Sequence, residues 1–180
     1  GAMPAGIWMT PDDRHLLVGM TGADYVEVID WRAQKSVKRI PTAKGAHNFR
    51  PLGDGRHVLV SNRVENSISV IDQSTLEKKY DIPVPGGPDC MEVTADGKLI
   101  WVTQRWVKQV AVVDVAQRKV IATIPVGRSP HGIFFVNSAP WKLHCPRRAW
   151  TKRHALRSEP ENWQPSSVSP EKSCCRSTVW

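Results

Sequence analysis

An uninterrupted repeat of 42 residues constrains this chain more than any other feature of its sequence. Residues 4–45, 46–87 and 88–129 align without a gap, and a fourth copy begins at residue 130 and fades after residue 140. The three complete copies share identical residues in six columns, which hold Asp12, Asp54 and Asp96; Val18, Val60 and Val102; Val28, Val70 and Val112; Asp30, Asp72 and Asp114; Ile40, Ile82 and Ile124; and Pro41, Pro83 and Pro125. A period of this length is typical of solenoids and propellers, in which each copy is one supersecondary unit.

Within each copy the apolar residues alternate with small or polar ones, which predicts β-strands rather than helices. The alternation is clearest at residues 25–30, 67–72 and 109–114. Asp54-Gly55 and Asp96-Gly97 separate apolar runs and predict tight turns, because glycine accepts positive φ without steric penalty. We therefore predict four strands per copy, at about 7–10, 15–20, 25–30 and 35–41 in the first.

Every copy ends its fourth predicted strand with Ile-Pro. Proline cannot donate a ladder hydrogen bond, so this strand is expected at the outer edge of its sheet. Four short antiparallel strands per repeat, with no helical period in residues 4–140, predict an all-β fold of β-propeller blades. The sequence thus predicts three complete blades and one additional inner strand, which form an incomplete ring.

The repeats resemble the YVTN-type β-propeller family over residues 4–140. The resemblance rests on motifs that recur in the copies: Val60-Ser61-Asn62, Val70-Ile71-Asp72, Ile82-Pro83-Val84, Ala95-Asp96-Gly97-Lys98 and Ile124-Pro125-Val126-Gly127. It implies a bacterial protein that is exported to the periplasm. Related propellers include lactone-hydrolysing enzymes and the haem-carrying propeller of a nitrite reductase, so the resemblance by itself selects no activity.

Propellers usually close with about four to eight blades, so three blades leave both end faces bare. We expect residues 4–140 to be part of a larger ring and 133–136 to resemble the strand that closes such rings. Open blade edges also predict self-association, because the unpaired backbone groups of an edge strand can hydrogen-bond to another copy of the chain.

The last forty residues differ from the repeats. Residues 141–180 carry 8 Lys and Arg against 3 Asp and Glu, whereas residues 1–140 carry 17 against 14. Residues 141–180 are rich in Pro, Ser and charge, which favours a disordered or non-native extension. The alternative is contact with single-stranded nucleic acid through basic and Trp side chains, which we consider the weaker interpretation. Residues 1–3 look like the remnant of a cleaved tag, and no apolar run is long enough to cross a membrane.

Candidate site residues are those that vary among otherwise matching copies. His47, Asp89 and His131 occupy one position of the loop that leads into each inner strand, so we expect them at one mouth of the central channel. Arg63 and Arg105 follow the second strand of their copies and are expected at the same mouth. Arginine offers a fixed fork of donors, so this set suits a small anion or an acidic partner segment. The alternative is that the same side chains join neighbouring loops and hold the blades together.

An enzymatic interpretation is weaker. His47, Asp89 and His131 have ligand types that suit zinc or iron, and a haem would use the same mouth, but metal bonds of about 2.0–2.2 Å demand close convergence from three blades. Nucleophile elbows, zinc-protease motifs and phosphate-binding glycine loops are missing from the sequence. We therefore assign no catalytic residue, metal or cofactor. The sequence predicts a non-catalytic binding module, and the alternative is a metal- or haem-dependent enzyme.

Overall fold

The computed structural model describes residues 2–138, and among these it contains twelve strands and no helix. The strands form three four-stranded antiparallel sheets, which we call blades 1, 2 and 3. Blade 1 consists of β1 (Pro4–Met9), β2 (His15–Met20), β3 (Tyr25–Asp30) and β4 (Lys35–Pro41). Blade 2 consists of β5 (Ala46–Pro51), β6 (His57–Asn62), β7 (Ser67–Asp72) and β8 (Glu77–Pro83). Blade 3 consists of β9 (Pro88–Val93), β10 (Leu99–Gln104), β11 (Gln109–Asp114) and β12 (Lys119–Pro125).

The strands of each blade pair in sequence order, so the predicted all-β partial propeller is confirmed. Each Ile-Pro pair ends the outermost strand, as the missing proline donor requires. The inner strand β5 packs against both β1 and β9, which places the three inner strands side by side. The first strand begins earlier than predicted, because Pro4 pairs with Met20 across an irregularity in the β1–β2 ladder.

Two apolar layers join the blades. Between blades 1 and 2, the buried side chains are Leu17, Val26, Val28, Ile40, Ala46, Phe49, Val58, Val60 and Ile71. Between blades 2 and 3, they are Leu59, Ile68, Val70, Ile82, Val84, Met91, Val93, Ile100, Val102, Ala111 and Val113. Successive residues of a strand face opposite sides of the sheet, so Val70 and Ile71 contribute to different layers. Blade 2 is therefore covered on both faces, and all six residues of β7 are buried.

The expected inner strand of a fourth blade is not formed. Residues 133–136 contain no strand, and beyond β12 the described chain makes one isolated bridge, from Ser138 to Thr94 of blade 3. Phe135 packs edge-to-face on Trp101 with ring centroids 5.7 Å apart, while Phe134 is 78% exposed. A strand needs a neighbour with free backbone groups. No second strand of a fourth blade is present among residues 2–138, so this segment packs on blade 3 by side chains instead.

In the described part of the chain, no helix could span a membrane. The basic segment 141–180 and its candidate contacts with nucleic acid lie outside the described residues. So do the cysteines and histidines of that segment.

Candidate mouth site

Each inner strand starts with a β-bulge at the loop position that varies between blades. In blade 2, Ala46 pairs with Asn62 and Phe49 with Val60, so two residues, 47 and 48, oppose Ser61 alone. In blade 3 the same shift sets residues 89 and 90 against Thr103. A bulge of this kind bends the strand and changes where its side chains point. We call this end of the blades, where β5 and β9 begin, the mouth.

Hydroxyl side chains support both bulges. Ser61 Oγ accepts a hydrogen bond from the Asn48 backbone N–H at 3.1 Å and donates to the Asp89 carbonyl at 2.8 Å. Thr103, one repeat after Ser61, accepts from the Cys90 backbone N–H at 3.1 Å and donates to the Cys90 carbonyl at 3.2 Å. Backbone groups that a bulge removes from the ladder are thus satisfied locally, and the bulged residues are held in place.

Asp89 is the centre of the mouth site, and its side chain is fully buried. Arg63 Nη2 donates to Oδ1 at 2.6 Å, and Arg105 Nη1 donates to Oδ2 at 3.1 Å. His131 Nδ1 lies 3.0 Å from Oδ2, and His47 Nε2 lies 3.5 Å from Oδ1. One carboxylate therefore contacts both predicted arginines and both predicted histidines.

All five residues singled out in the sequence come together. His47 and Arg63 belong to blade 2, Asp89 and Arg105 to blade 3, and His131 follows blade 3. Their contacts join neighbouring loops, which is the structural role that the sequence left open. The exposures differ within the set: the side chains of His47 and Arg63 are 18% and 19% exposed, and those of Arg105 and His131 are 37% and 55% exposed. The last two therefore form the solvent side of the site.

The electrostatics of the site favour an ionised Asp89. Burial alone would raise the pKa of this carboxyl, but hydrogen bonds from Arg63 and His131 lower it overall. The pKa of His47 is lowered by burial and by the nearby Arg63 guanidinium, so this imidazole is held neutral. Two guanidiniums against one carboxylate leave an excess of positive charge at the mouth.

Two buried nitrogen atoms of the site lack partners. Among residues 2–138, no hydrogen-bond partner lies within reach of His47 Nδ1 or Arg63 Nε, although both atoms are buried. Buried polar groups without partners are rare in folded proteins and point to a water, an ion or a ligand that would complete them. The unpartnered atoms belong to the same two side chains that face Asp89 from blade 2.

Sequence reasoning missed Cys90. Its Sγ lies 3.5 Å from His131 Nδ1. Asp89, Cys90 and His131 each present one ligand atom, and these atoms all lie within 4.8 Å of one another. The available signal was position: Cys90 follows Asp89 on the bulge, so the distortion that aims one side chain also affects the other. Burial raises the pKa of the Cys90 thiol.

Four tryptophans of the blades serve packing and rim positions. Trp8 donates from Nε1 to Gln73 Oε1 at 2.7 Å, a contact between blades 1 and 2. Trp101 packs against Phe135, and Trp31 and Trp106 are 38% and 53% exposed. These contacts do not form an aromatic cage around the mouth site.

The fold is shared with two solved enzyme structures. One is hydrazine synthase of Kuenenia stuttgartiensis, with a TM-score of 0.60 and 24% sequence identity over 72% of this chain and 37% of that chain. The other is dihydro-heme d1 dehydrogenase NirN in complex with DHE, with a TM-score of 0.57 and 21% identity over 73% of this chain and 30% of that chain. At these identities the similarity establishes the fold and carries no activity across. This chain thus spans only about a third of the length of each of these chains.

A comparison with curated proteins gives no significant match. A model of the YNCE-like β-propeller family, by contrast, matches residues 1–141, which include all three blades and every residue of the mouth site. The match extends through the repeats that resemble YVTN-type blades. On this evidence the chain belongs to the YNCE-like β-propeller family.

Proposed function

We propose that this protein is a non-catalytic binding module whose mouth binds a small anion, of the carboxylate or phosphate class. The observation that carries the proposal is the excess of cationic donors around one buried carboxylate. Arg63 and Arg105 place two permanent charges beside Asp89, and the imidazoles of His47 and His131 complete the ring of donors.

Asp89 acts in this proposal as the residue that positions the arginines. It accepts a hydrogen bond from one Nη atom of each guanidinium, and the Arg105 side chain is partly exposed. Arginine has five N–H donors, so one contact with Asp89 leaves a fork for a second anion. The unpartnered Arg63 Nε–H is a further donor in the same place, whereas the neutral His47, whose Nε2 faces Asp89, leaves an acceptor at Nδ1.

The structural role and the binding role are compatible. A rigid arrangement of donors binds an anion better than mobile side chains do, because less conformational freedom is lost on binding. The contacts with Asp89, which Arg63 makes from blade 2 and Arg105 makes within blade 3, hold both guanidinium groups in place before any anion arrives.

Isothermal titration with inorganic phosphate and with succinate tests the proposal. We expect wild-type protein to bind at least one of them, and Arg105→Gln to weaken that binding by about tenfold or more, since a hydrogen bond to a charged group contributes about 1.5–3 kcal/mol. Arg118→Gln is the matched control. It removes the same charge from the turn between β11 and β12, where Arg118 stacks on Tyr80 at 3.8 Å.

Equal losses in the two variants would show that net charge, not the mouth, attracts the anion. Folded wild-type protein that binds neither phosphate nor succinate but captures an acidic peptide would replace the small anion with a protein segment. Binding to none of these three probes would overturn the proposal.

We also infer that the protein acts in the periplasm, which the resemblance to exported propellers supports. Fractionation of bacterial cells that express the natural gene checks this inference, and a cytoplasmic pool alone would contradict it.

A metal- or haem-dependent enzyme is the second candidate. One observation favours its metal form, namely the approach of Asp89, Cys90 and His131 to one another. Lactone hydrolysis measured on metal-loaded protein separates the candidates, because an enzyme converts its substrate whereas an anion-binding module only binds its ligand.

A further inference from the structure

Three potential metal ligands of different chemistry meet at the mouth. Asp89 is fully buried, Cys90 is 8% exposed, and His131 reaches them from the segment that follows blade 3. Asp89 and Cys90 are neighbours in the chain, and in a regular strand such neighbours face opposite sides of the sheet. The β9 bulge changes that arrangement and lets both side chains approach His131.

One ring nitrogen of His131 faces two groups. Its Nδ1 lies 3.0 Å from Asp89 Oδ2 and 3.5 Å from Cys90 Sγ. An N–H at this position can point along only one of these directions, so a simple hydrogen bond accounts for one contact and leaves the other unexplained. A metal ion accounts for both. Tetrahedral bonds of about 2.3 Å to sulfur and about 2.0 Å to nitrogen put those two ligand atoms about 3.5 Å apart.

We propose that Asp89, Cys90 and His131 bind a thiophilic divalent metal ion of the zinc class, with a fourth position open toward the mouth. Carboxylate oxygen, thiolate sulfur and imidazole nitrogen are all zinc ligands, and a set of three with one open position is typical of accessible sites. The half-exposed His131 gives the ion a path from solvent.

The metal-binding step can be written with every proton and charge accounted for. The Cys90 thiol loses its proton to solvent when the metal–sulfur bond forms, and His131 keeps its remaining proton on Nε2 so that Nδ1 can bind. The thiolate and the Asp89 carboxylate offset the two charges of the ion. Asp89 still has Oδ1 available for Arg63.

This inference deepens the proposed function and rests on it for its second part. With Asp89 neutralised by the metal, the charges of Arg63 and Arg105 are less compensated, and the open metal position points to the same mouth. We therefore expect the metal to strengthen anion binding, with the anion as fourth ligand.

The experiment uses the full chain with Co²⁺ as the probe. Residues 141–180 contain other potential ligands, so Cys145, Cys174 and Cys175 are first changed to Ser, which leaves Cys90 as the only thiol. We expect a thiolate-to-cobalt charge-transfer band in this background and Zn²⁺ binding in competition with it. Cys90→Ser should abolish the band, and His131→Ala should weaken Co²⁺ binding by about tenfold or more. His57→Ala is the matched control, because His57 contacts Asp54 outside the mouth.

A folded background protein without the band would overturn the metal site, as would equal effects of His131→Ala and His57→Ala. Circular dichroism of each variant verifies that the blades are intact. Phosphate and succinate titrations with and without Zn²⁺ then separate the two proposals. Cobalt binding without anion binding would contradict the proposed function alone, and anion binding without cobalt binding would contradict the metal site alone.

Discussion

The two ends of the blades use charged residues in opposite ways. At the end away from the mouth, the aspartate of the turn after the first strand recurs in every blade and accepts a backbone N–H in each. Asp54 Oδ1 accepts the backbone N–H of Arg56 at 2.8 Å, and Asp96 Oδ1 accepts that of Lys98 at 3.1 Å. At the mouth the equivalent positions differ from blade to blade, and their side chains converge on Asp89.

Residues of a repeat sequence therefore fall into two groups, those that every blade needs and those that are free to serve a site. A residue that recurs at every period serves the unit itself, because each blade must close the same turns and satisfy the same backbone groups. Residues that vary while the rest of the repeat stays constant are not required for the folding of every blade. The mouth residues are of the second kind, and the unpartnered nitrogen atoms of His47 and Arg63 lie among them.

The largest expected effect comes from removing the central charge at the mouth. Asp89→Asn keeps the shape of the side chain but leaves Arg63 and Arg105 facing an amide. We expect the free energy of unfolding to fall by about 3–5 kcal/mol, because a buried ion pair that loses one partner leaves an uncompensated charge. Urea denaturation followed by tryptophan fluorescence measures the change.

Asp114→Asn at the opposite end is the control for this comparison. Within residues 2–138, the hydrogen bonds that Asp114 accepts are local ones from Gln117, at 2.8 and 3.0 Å. If Asp114→Asn lost as much stability as Asp89→Asn, the aspartate at the mouth would be no more important for stability than the one at the opposite end.

Most of the fold followed from the sequence because the period itself carries the information. Each identical column marks the same strand position in all three copies, and each Ile-Pro pair marks the outermost strand of its blade. The segment 133–136 was predicted wrongly as a strand because its own repeat supplies no neighbour among the described residues. Strand formation depends on a partner, which local alternation of residues does not reveal.

The sequence predicted which five residues lie together at the mouth, but it did not predict how they are arranged. Equivalent positions in adjacent blades must lie near one another, so His47, Asp89 and His131 could be grouped from the period alone. That Asp89 is fully buried beneath the other four, and that Cys90 joins it, depends on the bulge in β9. A bulge is a shift in pairing between two strands and leaves little trace in either strand alone.

The isoleucine that recurs at the end of the fourth strand differs in burial between blades 2 and 3. Ile82 and Ile124 occupy the same position, but Ile82 is fully buried against blade 3, whereas Ile124 is 40% exposed. Ile82→Ala should lower the free energy of unfolding by about 2–5 kcal/mol, the usual cost of a buried cavity, and Ile124→Ala by about 1 kcal/mol or less. Thermal denaturation of both variants at equal protein concentration measures the difference.

The exposed apolar residues of blade 3 also predict self-association. The outermost strand of blade 3 and the residue after it carry three apolar side chains that are each at least 40% exposed, Ile121, Ile124 and Val126, so we expect copies of the chain to associate through this edge. Light scattering should then show a mass that falls when Ile124 is changed to Glu. A wild-type protein that is monomeric over a wide concentration range would contradict this expectation.

The smallest predicted effect concerns the repeated aspartate column at the end of the third strand. Asp72 in the central blade is fully buried and pairs with Arg56 Nη2 at 2.6 Å, while Asp114 in blade 3 is partly exposed. Burial alone would raise the pKa of Asp72, but hydrogen bonds from Arg56 and Ser74 lower it overall. Asp72→Ala should therefore cost about 1.5–3 kcal/mol at pH 7, and Asp114→Ala about 0.5–1.5 kcal/mol.

The pH dependence of the Asp72 effect has a definite sign. A carboxyl whose pKa is lower in the folded state than in the unfolded state stabilises the fold above the unfolded value of about 3.9. That contribution is lost as the pH falls below this value, toward the folded pKa. Urea titrations from pH 7 to pH 3 should thus show the stability gap between wild-type protein and Asp72→Ala constant above about pH 5 and narrowing below about pH 4. A gap that widened on acidification would contradict this prediction, because it would mean that folding raises the pKa of Asp72 instead of lowering it.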